Sequence, residues 1–301
     1  MRLGFVGVGN MGGPMAANML RAGHEMKVTD LRREAAAELV ANGATWVDTA
    51  AEAAAGSEVT FLSLPKPPDV EKVVLGDNGV LAGSASGSTI IDLSTNSPTV
   101  VQALGATAAA KGVGFLDGPV SGGVRGARNG TLAVMVGGDP DLYHYFKPVL
   151  DSIGTNVFHT GPLGTGNVAK LINNMLAFIG MMGSTEAIVL GSKAGLDPNV
   201  LRKIVMAGSG QSFAWESGTR AILRDRLQPT FSTTLASKDI GLAVTLADEM
   251  GVPVTMGRAA QARIDDYREN GYADEDVLAT VKAIEALAGH QVRGLWQDEP
   301  S

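Results

Sequence analysis

Lys170 and Asn174 stand one helical turn apart in Lys170-Leu171-Ile172-Asn173-Asn174, inside an otherwise apolar stretch. A lysine and a carboxamide on one helix face can hold an alcohol and take its proton. Burial beside a cationic ring lowers a lysine pKa, which suits general-base work near neutral pH. A lysine snorkelling from an exposed helix face would give the same local pattern. A second cluster supplies the missing half of such chemistry. Gly7-Val8-Gly9-Asn10-Met11-Gly12 is a GxGxxG between a strand-like run and a helical one. Its glycines permit a tight turn and close backbone approach to a pyrophosphate, whose charge a helix N-terminus favours. Asp30 closes the next strand-like run, 18 residues beyond Gly12, where a carboxylate meets adenosine ribose hydroxyls. A packing turn and a helix-capping aspartate would use the same residues. The order strand, loop, helix, strand, acid points instead to a dinucleotide. Asp30 repels a 2′-phosphate and favours NAD, while Arg32 and Arg33 leave NADP possible.

Ser121-Gly122-Gly123 adds a hydroxyl and backbone N–H groups after a further strand, a concavity suited to a carboxylate. A plain glycine-rich turn is the other reading of that segment. Arg125 and Arg128 nearby read as solvent-facing. His24, His144, His159 and His290 fall after a helix, on a surface-like helix, at a strand end and near the tail, and read as structural. There is no cysteine, so thiol nucleophiles, disulfides and Cys-ligated metals are excluded. The acids are scattered, Asp274-Glu275-Asp276 reads as a solvated helix start, and no metal is expected.

These groups need a scaffold, and the chain outlines one. Strand-like runs at Leu3–Gly7, Met26–Asp30, Val59–Leu64, Thr89–Leu93, Val113–Asp117, Leu132–Val136 and Asn156–Thr160 alternate with alanine-rich helical stretches. Most lack polar alternation, as strands covered on both faces do. An α/β fold with a parallel, doubly wound sheet follows. Ser97-Pro98 and Asp139-Pro140 each put a capping residue before a proline at the first helical position. After Gly161-Pro162-Leu163-Gly164 strand signals stop. A long helix from Thr165 to Ala194, ended by Gly195, is followed by a helix opened by Asp197-Pro198 and by helical segments at Ile240–Met250, Ala259–Glu269 and Asp276–Ala288. The expected domains are therefore 1–163, nucleotide-binding, and 164–295, all-helical. The tail after Gly294 reads as frayed.

Composition agrees. In 301 residues, 39 glycines and only 5% aromatics suit close helix–sheet packing. The net charge is −7, with neither half basic, so nucleic acid is not an expected partner. The apolar stretch between Lys170 and Lys193 is interrupted by Asn173, Asn174, Ser184, Thr185 and Glu186, and a membrane span is not expected. No targeting segment is visible, and a cytoplasmic location is expected. Met175–Leu190 is apolar on nearly every face, more than one core need cover, so a homo-oligomer is expected.

The run Gly7 to Met19, ending in Ala22-Gly23-His24, resembles the N-terminal signature of the β-hydroxyacid dehydrogenases, which include 3-hydroxyisobutyrate dehydrogenase. Asp117-Gly118-Pro119-Val120-Ser121-Gly122-Gly123 resembles that family's substrate loop. Gly164 through Lys170 to Asn173-Asn174 resembles its catalytic helix, and Lys238-Asp239 with Leu242-Ala243 its C-terminal lysine motif. The matches run in order over nearly the whole chain. The resemblance implies a Rossmann-type domain followed by a helical one, as in 6-phosphogluconate dehydrogenase, and hydride transfer between NAD(P) and a small β-hydroxyacid or its semialdehyde. It implies Lys170 as the catalytic lysine and Ser121, Gly122, Gly123 and Asn174 as contacts to a small carboxylate substrate. Gly7, Val8, Gly9, Asn10, Met11, Gly12, Asp30, Leu64, Pro65, Thr95 and Lys238 are implied to hold the cofactor. Relatives are usually oligomeric, and a homodimer or homotetramer is expected here. Gly118 departs from the alanine of many members, which would loosen the loop. Two other readings stay open: an imine reductase of the same fold, whose members usually replace the lysine, and a cofactor-binding regulatory protein without turnover. Phosphogluconate decarboxylation is disfavoured, because the chain is too short for that family's helical domain. The segment Ser209 to Trp215, with Phe231, either rims a pocket or packs in a core.

Overall fold

The computed structural model describes residues 1–297. It divides into two compact units, Met1–Lys170 and Leu171 onward. In the first unit, nine strands form one sheet among the described residues. They are β1 (Arg2–Val6), β2 (Glu25–Thr29), β3 (Thr45–Trp46), β4 (Val59–Leu62), β5 (Thr89–Asp92), β6 (Gly114–Asp117), β7 (Val120–Ser121), β8 (Leu132–Gly137) and β9 (Gly154–Gly161). The order is β3-β2-β1-β4-β5-β6-β8-β7, with β9 on β8. Pairs from β3 through β6 are parallel. The sheet is mixed rather than wholly parallel, because β8 runs antiparallel to β6 and β7. The short β3 and β7 are not legible in the sequence, being two residues long.

Both faces are covered, which is why the strands read as continuous apolar runs. Leu3, Phe5, Val59, Phe61, Ile91 and Leu116 pack on one side; Val6, Leu62, Ile90 and Phe115 pack on the other. Phe5 and Phe61 pair across β1 and β4 with ring centroids 6.0 Å apart. The alanine-rich helix Ala50–Ala54 lies tight on the sheet: a Cβ on Gly4 would sit 2.5 Å from the Ala53 carbonyl oxygen. Asp139 caps its helix by accepting from the N–H groups of Asp141 and Leu142. Ser97 occupies the expected cap position without a side-chain cap bond; instead Asn96 Oδ1 accepts the Ser97 N–H.

Helix Thr165–Lys193 begins in the first unit and continues into the second. By length and composition it could cross a membrane. In the second unit its Phe178 and Met182 pack with Ile240, Ala260 and Ile264. The other helices there include Pro198–Ala207, Thr233–Glu249, Thr255–Tyr267 and Val281–Ala288. Thr233–Glu249 starts earlier than its apolar pattern, because Ser232 caps it through the Leu235 N–H. Asp276 is a correction: it is buried, not solvated, and accepts from Thr230 N–H and Oγ1 and from Phe231 N–H. The tail is a second correction up to residue 297. Trp296 N–H donates to Leu223 O, and Arg224 lies 4.4 Å from its ring centroid. Residues 298–301 of the expected frayed tail lie outside the described residues.

At the end of β5 the buried Asp92 accepts from the Ser94 N–H at 3.0 Å and from Asn96 Nδ2 at 3.2 Å. Burial outweighs these donors and raises its pKa from 3.8 to about 6. The folded state thus binds a proton more tightly than the unfolded one. Stability is highest below the unfolded value and falls as pH rises toward the folded value. Relative to Asp92→Asn, the wild-type unfolding free energy should drop by about 2 kcal/mol between roughly pH 4 and pH 6.5. Urea unfolding at both pH values measures this; a pH-independent difference would refute it.

Candidate active site

In the first unit, nearly all the singled-out residues sit at the carboxyl edge of the parallel strands, where open α/β sheets bind ligands. The strand order reverses between β1 and β4, and the glycine loop leaves β1 there. Gly7 has φ +89°, and a Cβ on it would lie 2.4 Å from Ser63 O. A Cβ on Gly12 would lie 1.9 Å from Gly7 O, so this glycine lets helix Gly12–Arg21 close onto the turn. Gly9 differs: a Cβ there would meet nothing within 4 Å. Its bare backbone faces open space that a side chain would fill and that could serve as a cradle for a pyrophosphate. Asp30 reaches back to this loop, accepting from the Val8 N–H at 2.9 Å through Oδ2 and from the Arg32 N–H through Oδ1. Arg33 instead stacks over Trp46, 5.6 Å from the ring centroid. The residues present fit a dinucleotide.

The neighbouring loops are tied to each other. Leu64 N–H donates to Ser94 Oγ at 2.9 Å, which links the Leu64-Pro65 segment to the segment carrying Thr95. Ser121 lies on β7 opposite Ala133. Gly122 and Gly123 follow with φ +132° and +62° and are exposed. Gly118 would accept a Cβ at ordinary contact distance, 3.4 Å from Ile91 and Leu93, so the glycine there is not a steric necessity.

Lys170 is the sixth residue of the long helix and is buried. The start of this helix is seated by Asp117, which ends β6. Asp117 Oδ1 accepts the Gly164 N–H at 2.8 Å, and Oδ2 accepts the Asn167 N–H at 2.7 Å. Burial pushes the Asp117 carboxyl up from its ordinary pKa, while the Gly164 and Asn167 donors pull it back. Asn167 Nδ2 also donates to Asp117, and Asn167 Oδ1 accepts the Asn96 N–H at 2.7 Å. Asp92, Asn96 and Asn167 escaped the sequence reading. The available signal was polar residues closing or interrupting apolar runs, as in Ile90-Ile91-Asp92.

The second unit holds Asn174 and Lys238. Asn174, one turn beyond Lys170 on the same helix, donates through Nδ2 to Asp239 Oδ2 at 2.7 Å and accepts from Asn173 Nδ2. Lys238 pairs with the other oxygen of Asp239 at 2.9 Å. One buried carboxylate thus orients both. Trp215 is buried and donates to Arg202 O, and Phe231 stacks on Phe178, so core packing accounts for both. Phe213 is exposed. The histidines are tied to the N-terminus (His24), Pro140 O (His144), Gly138 O (His159) and Ser192 Oγ (His290).

Residues 2–161 match the NAD-binding domain of 6-phosphogluconate dehydrogenase, and residues 164–284 match the NAD-binding domain of NADP-dependent 3-hydroxyisobutyrate dehydrogenase. The chain is 42% identical to a 3-hydroxyisobutyrate dehydrogenase of Pseudomonas aeruginosa, over 86% of this chain and 89% of the relative. It is 37% identical to the 2-(hydroxymethyl)glutarate dehydrogenase of Eubacterium barkeri, over 98% of each. A Mycobacterium tuberculosis 3-hydroxyisobutyrate dehydrogenase structure with L-serine superposes with TM-score 0.87 at 33% identity, covering 94% of this chain and 98% of that one. An imine reductase of Myxococcus stipitatus, at 17% identity and TM-score 0.64, shares the fold; its coverage is 94% of this chain and 100% of that one.

The glycine geometry separates two substitutions that look alike in sequence. Gly9→Val should leave thermal stability within about 1 kcal/mol of wild type, as surface changes do, yet weaken NADH binding at least roughly tenfold by filling the cradle. Gly12→Val should instead destabilise the fold. Fluorescence titration and thermal melts distinguish them; a Gly9→Val protein that binds NADH normally would exclude this loop as the cradle.

Proposed function

The chain belongs to the 3-hydroxyisobutyrate dehydrogenase-type family of β-hydroxyacid dehydrogenases, and on that premise we propose which of its residues carry hydride transfer between NAD(P) and a small β-hydroxyacid, or the matching semialdehyde. Lys170 is the observation that carries this reading: a buried lysine on a helix whose first turn is anchored to the edge of the sheet. The bound nicotinamide supplies the hydride acceptor or donor. Lys170 takes the hydroxyl proton in oxidation and returns it in reduction. The Ser121 hydroxyl and the N–H groups of Gly122 and Gly123 hold the substrate carboxylate, and the Asn174 carboxamide holds a second polar group of the substrate. The Gly7–Gly12 backbone, including Val8, Gly9, Asn10 and Met11, receives the pyrophosphate, and Asp30 the ribose. Leu64, Pro65, Thr95 and Lys238 are further cofactor contacts. Residues 1–163 serve as the nucleotide-binding domain and 164–295 as the helical domain.

Lys170 counts against an imine reductase, whose members usually replace it. The set Lys170, Asn174 and Ser121 counts against a protein without turnover. The reading extends to a cytoplasmic enzyme that associates as a homodimer or homotetramer. Support for association comes from Ile172, Leu176 and Leu190, large apolar residues exposed on the long helix. A panel of short β-hydroxyacids followed at the nicotinamide absorbance band identifies the substrate.

Lys170→Ala should lower kcat by roughly 10²–10⁴-fold, the usual worth of a positioned acid–base group, with NADH affinity nearly unchanged. Retention of more than about a tenth of wild-type kcat would remove Lys170 from the proton route. The Asp30 carboxylate should also make NADPH bind at least about tenfold more weakly than NADH, because a 2′-phosphate would face a like charge. Equal or tighter NADPH binding in a competitive titration would transfer cofactor choice to Arg32 or Arg33.

A further inference from the structure

Asn167 is fully buried in the first unit, so it contacts neither solvent nor any ligand. Every polar atom of its side chain is nevertheless used. Nδ2 donates to Asp117 Oδ2 at 3.1 Å, and Oδ1 accepts the Asn96 N–H at 2.7 Å. Asn96 in turn donates to Asp92. This one carboxamide therefore joins three segments: the loop after β5, next to Thr95; the end of β6, four residues before Ser121; and the helix start, three residues before Lys170.

Two features make the join a matter of position as well as stability. First, it is kept despite its cost. Asp92 and Asp117 are both buried, and burial raises the pKa of each; apolar residues would fill the same volume without that penalty. Second, there is no slack around it. A Cβ on Gly166 would lie 2.2 Å from Met135 O and 2.9 Å from Asp117, and one on Gly137 would lie 2.4 Å from Asp117 Oδ1. The helix start is pressed onto the sheet edge, and Lys170 lies only about 4.5 Å further along the axis. A shift of the first turn therefore moves Lys170 almost as far. Misplacement by about 1 Å can cost roughly 10²-fold in rate.

We propose that Asn167, bridging Asp117 and the Asn96 N–H, is a positioning residue for Lys170 and sets the rate of proton transfer without touching substrate or cofactor. The proposal rests on the reading of Lys170 as the proton acceptor.

The test compares Asn167→Ala, Lys170→Ala and the double variant in the full chain. Asn167→Ala removes the bridge and leaves the backbone caps on Asp117. Its kcat should fall about 10–100-fold, while KM for the hydroxyacid and the Kd for NADH stay within about threefold. In the Lys170→Ala background the same change should cost less than about twofold, because the group it positions is gone. A purely structural role would lower both backgrounds alike. Additive losses, or an Asn167→Ala kcat within about threefold of wild type, would overturn the proposal while leaving Lys170 in its role. High activity in Lys170→Ala itself would overturn both. Should the alanine protein not fold, Asn167→Ser carries the same test, since its shorter side chain has one polar atom in place of the two, Nδ2 and Oδ1, that span from Asp117 to the Asn96 N–H.

Discussion

The Asp117 carboxylate, at the end of β6, is the interaction on which the arrangement of the first unit depends. The opening N–H groups of a helix have no intrahelical partner and carry partial positive charge. Asp117 satisfies two of them, at Gly164 and Asn167, one on each oxygen. A capping residue is ordinarily local in sequence; this one is 47 residues before Gly164. The bond therefore anchors the helix to the sheet, and the position of Lys170 follows from it. The second unit uses the same device, where the buried Asp239 holds Asn174 through one oxygen and Lys238 through the other.

Small residues make the close packing possible. Gly4 admits helix Ala50–Ala54, Gly83 comes against Ala51, and Gly12 admits the turn at Gly7. Any Cβ at these positions would fall inside a backbone atom's contact radius, and core overpacking typically costs 1–3 kcal/mol. Gly9 differs from these three, since space rather than backbone lies before it. The distinction separates glycines that the close packing requires from one that it does not.

The proposal that a lysine transfers the proton draws support from what the other groups are doing. Each histidine has an oxygen or nitrogen partner, and His24 is held below its ordinary pKa by burial and the nearby N-terminal ammonium. Asp92 and Asp117 are consumed by backbone and carboxamide donors. Lys170 combines burial with a place on the anchored helix.

The sequence by itself determined what depends on near neighbours. Apolar runs separated by helical stretches marked seven strands, each within about two residues of its bounds. Asp139-Pro140 and Asp197-Pro198 marked helix starts, because a cap acts on an N–H two or three residues away. The glycine loop and Asp30 were legible because the dinucleotide motif lies in one contiguous unit. Only the tertiary structure decided which polar residues meet at a distance. Asn96 and Asn167 are 71 residues apart, and Asp276 closes on Thr230 from 46. The solvated reading of Asp276 and the frayed reading of Trp296 failed for this reason: local composition reports polarity, whereas burial and partners are set by chain folding back from afar. Spacing can place Lys170 on a helix, but what fixes that helix is a carboxylate on another strand, and a non-local hydrogen bond has no periodicity to betray it.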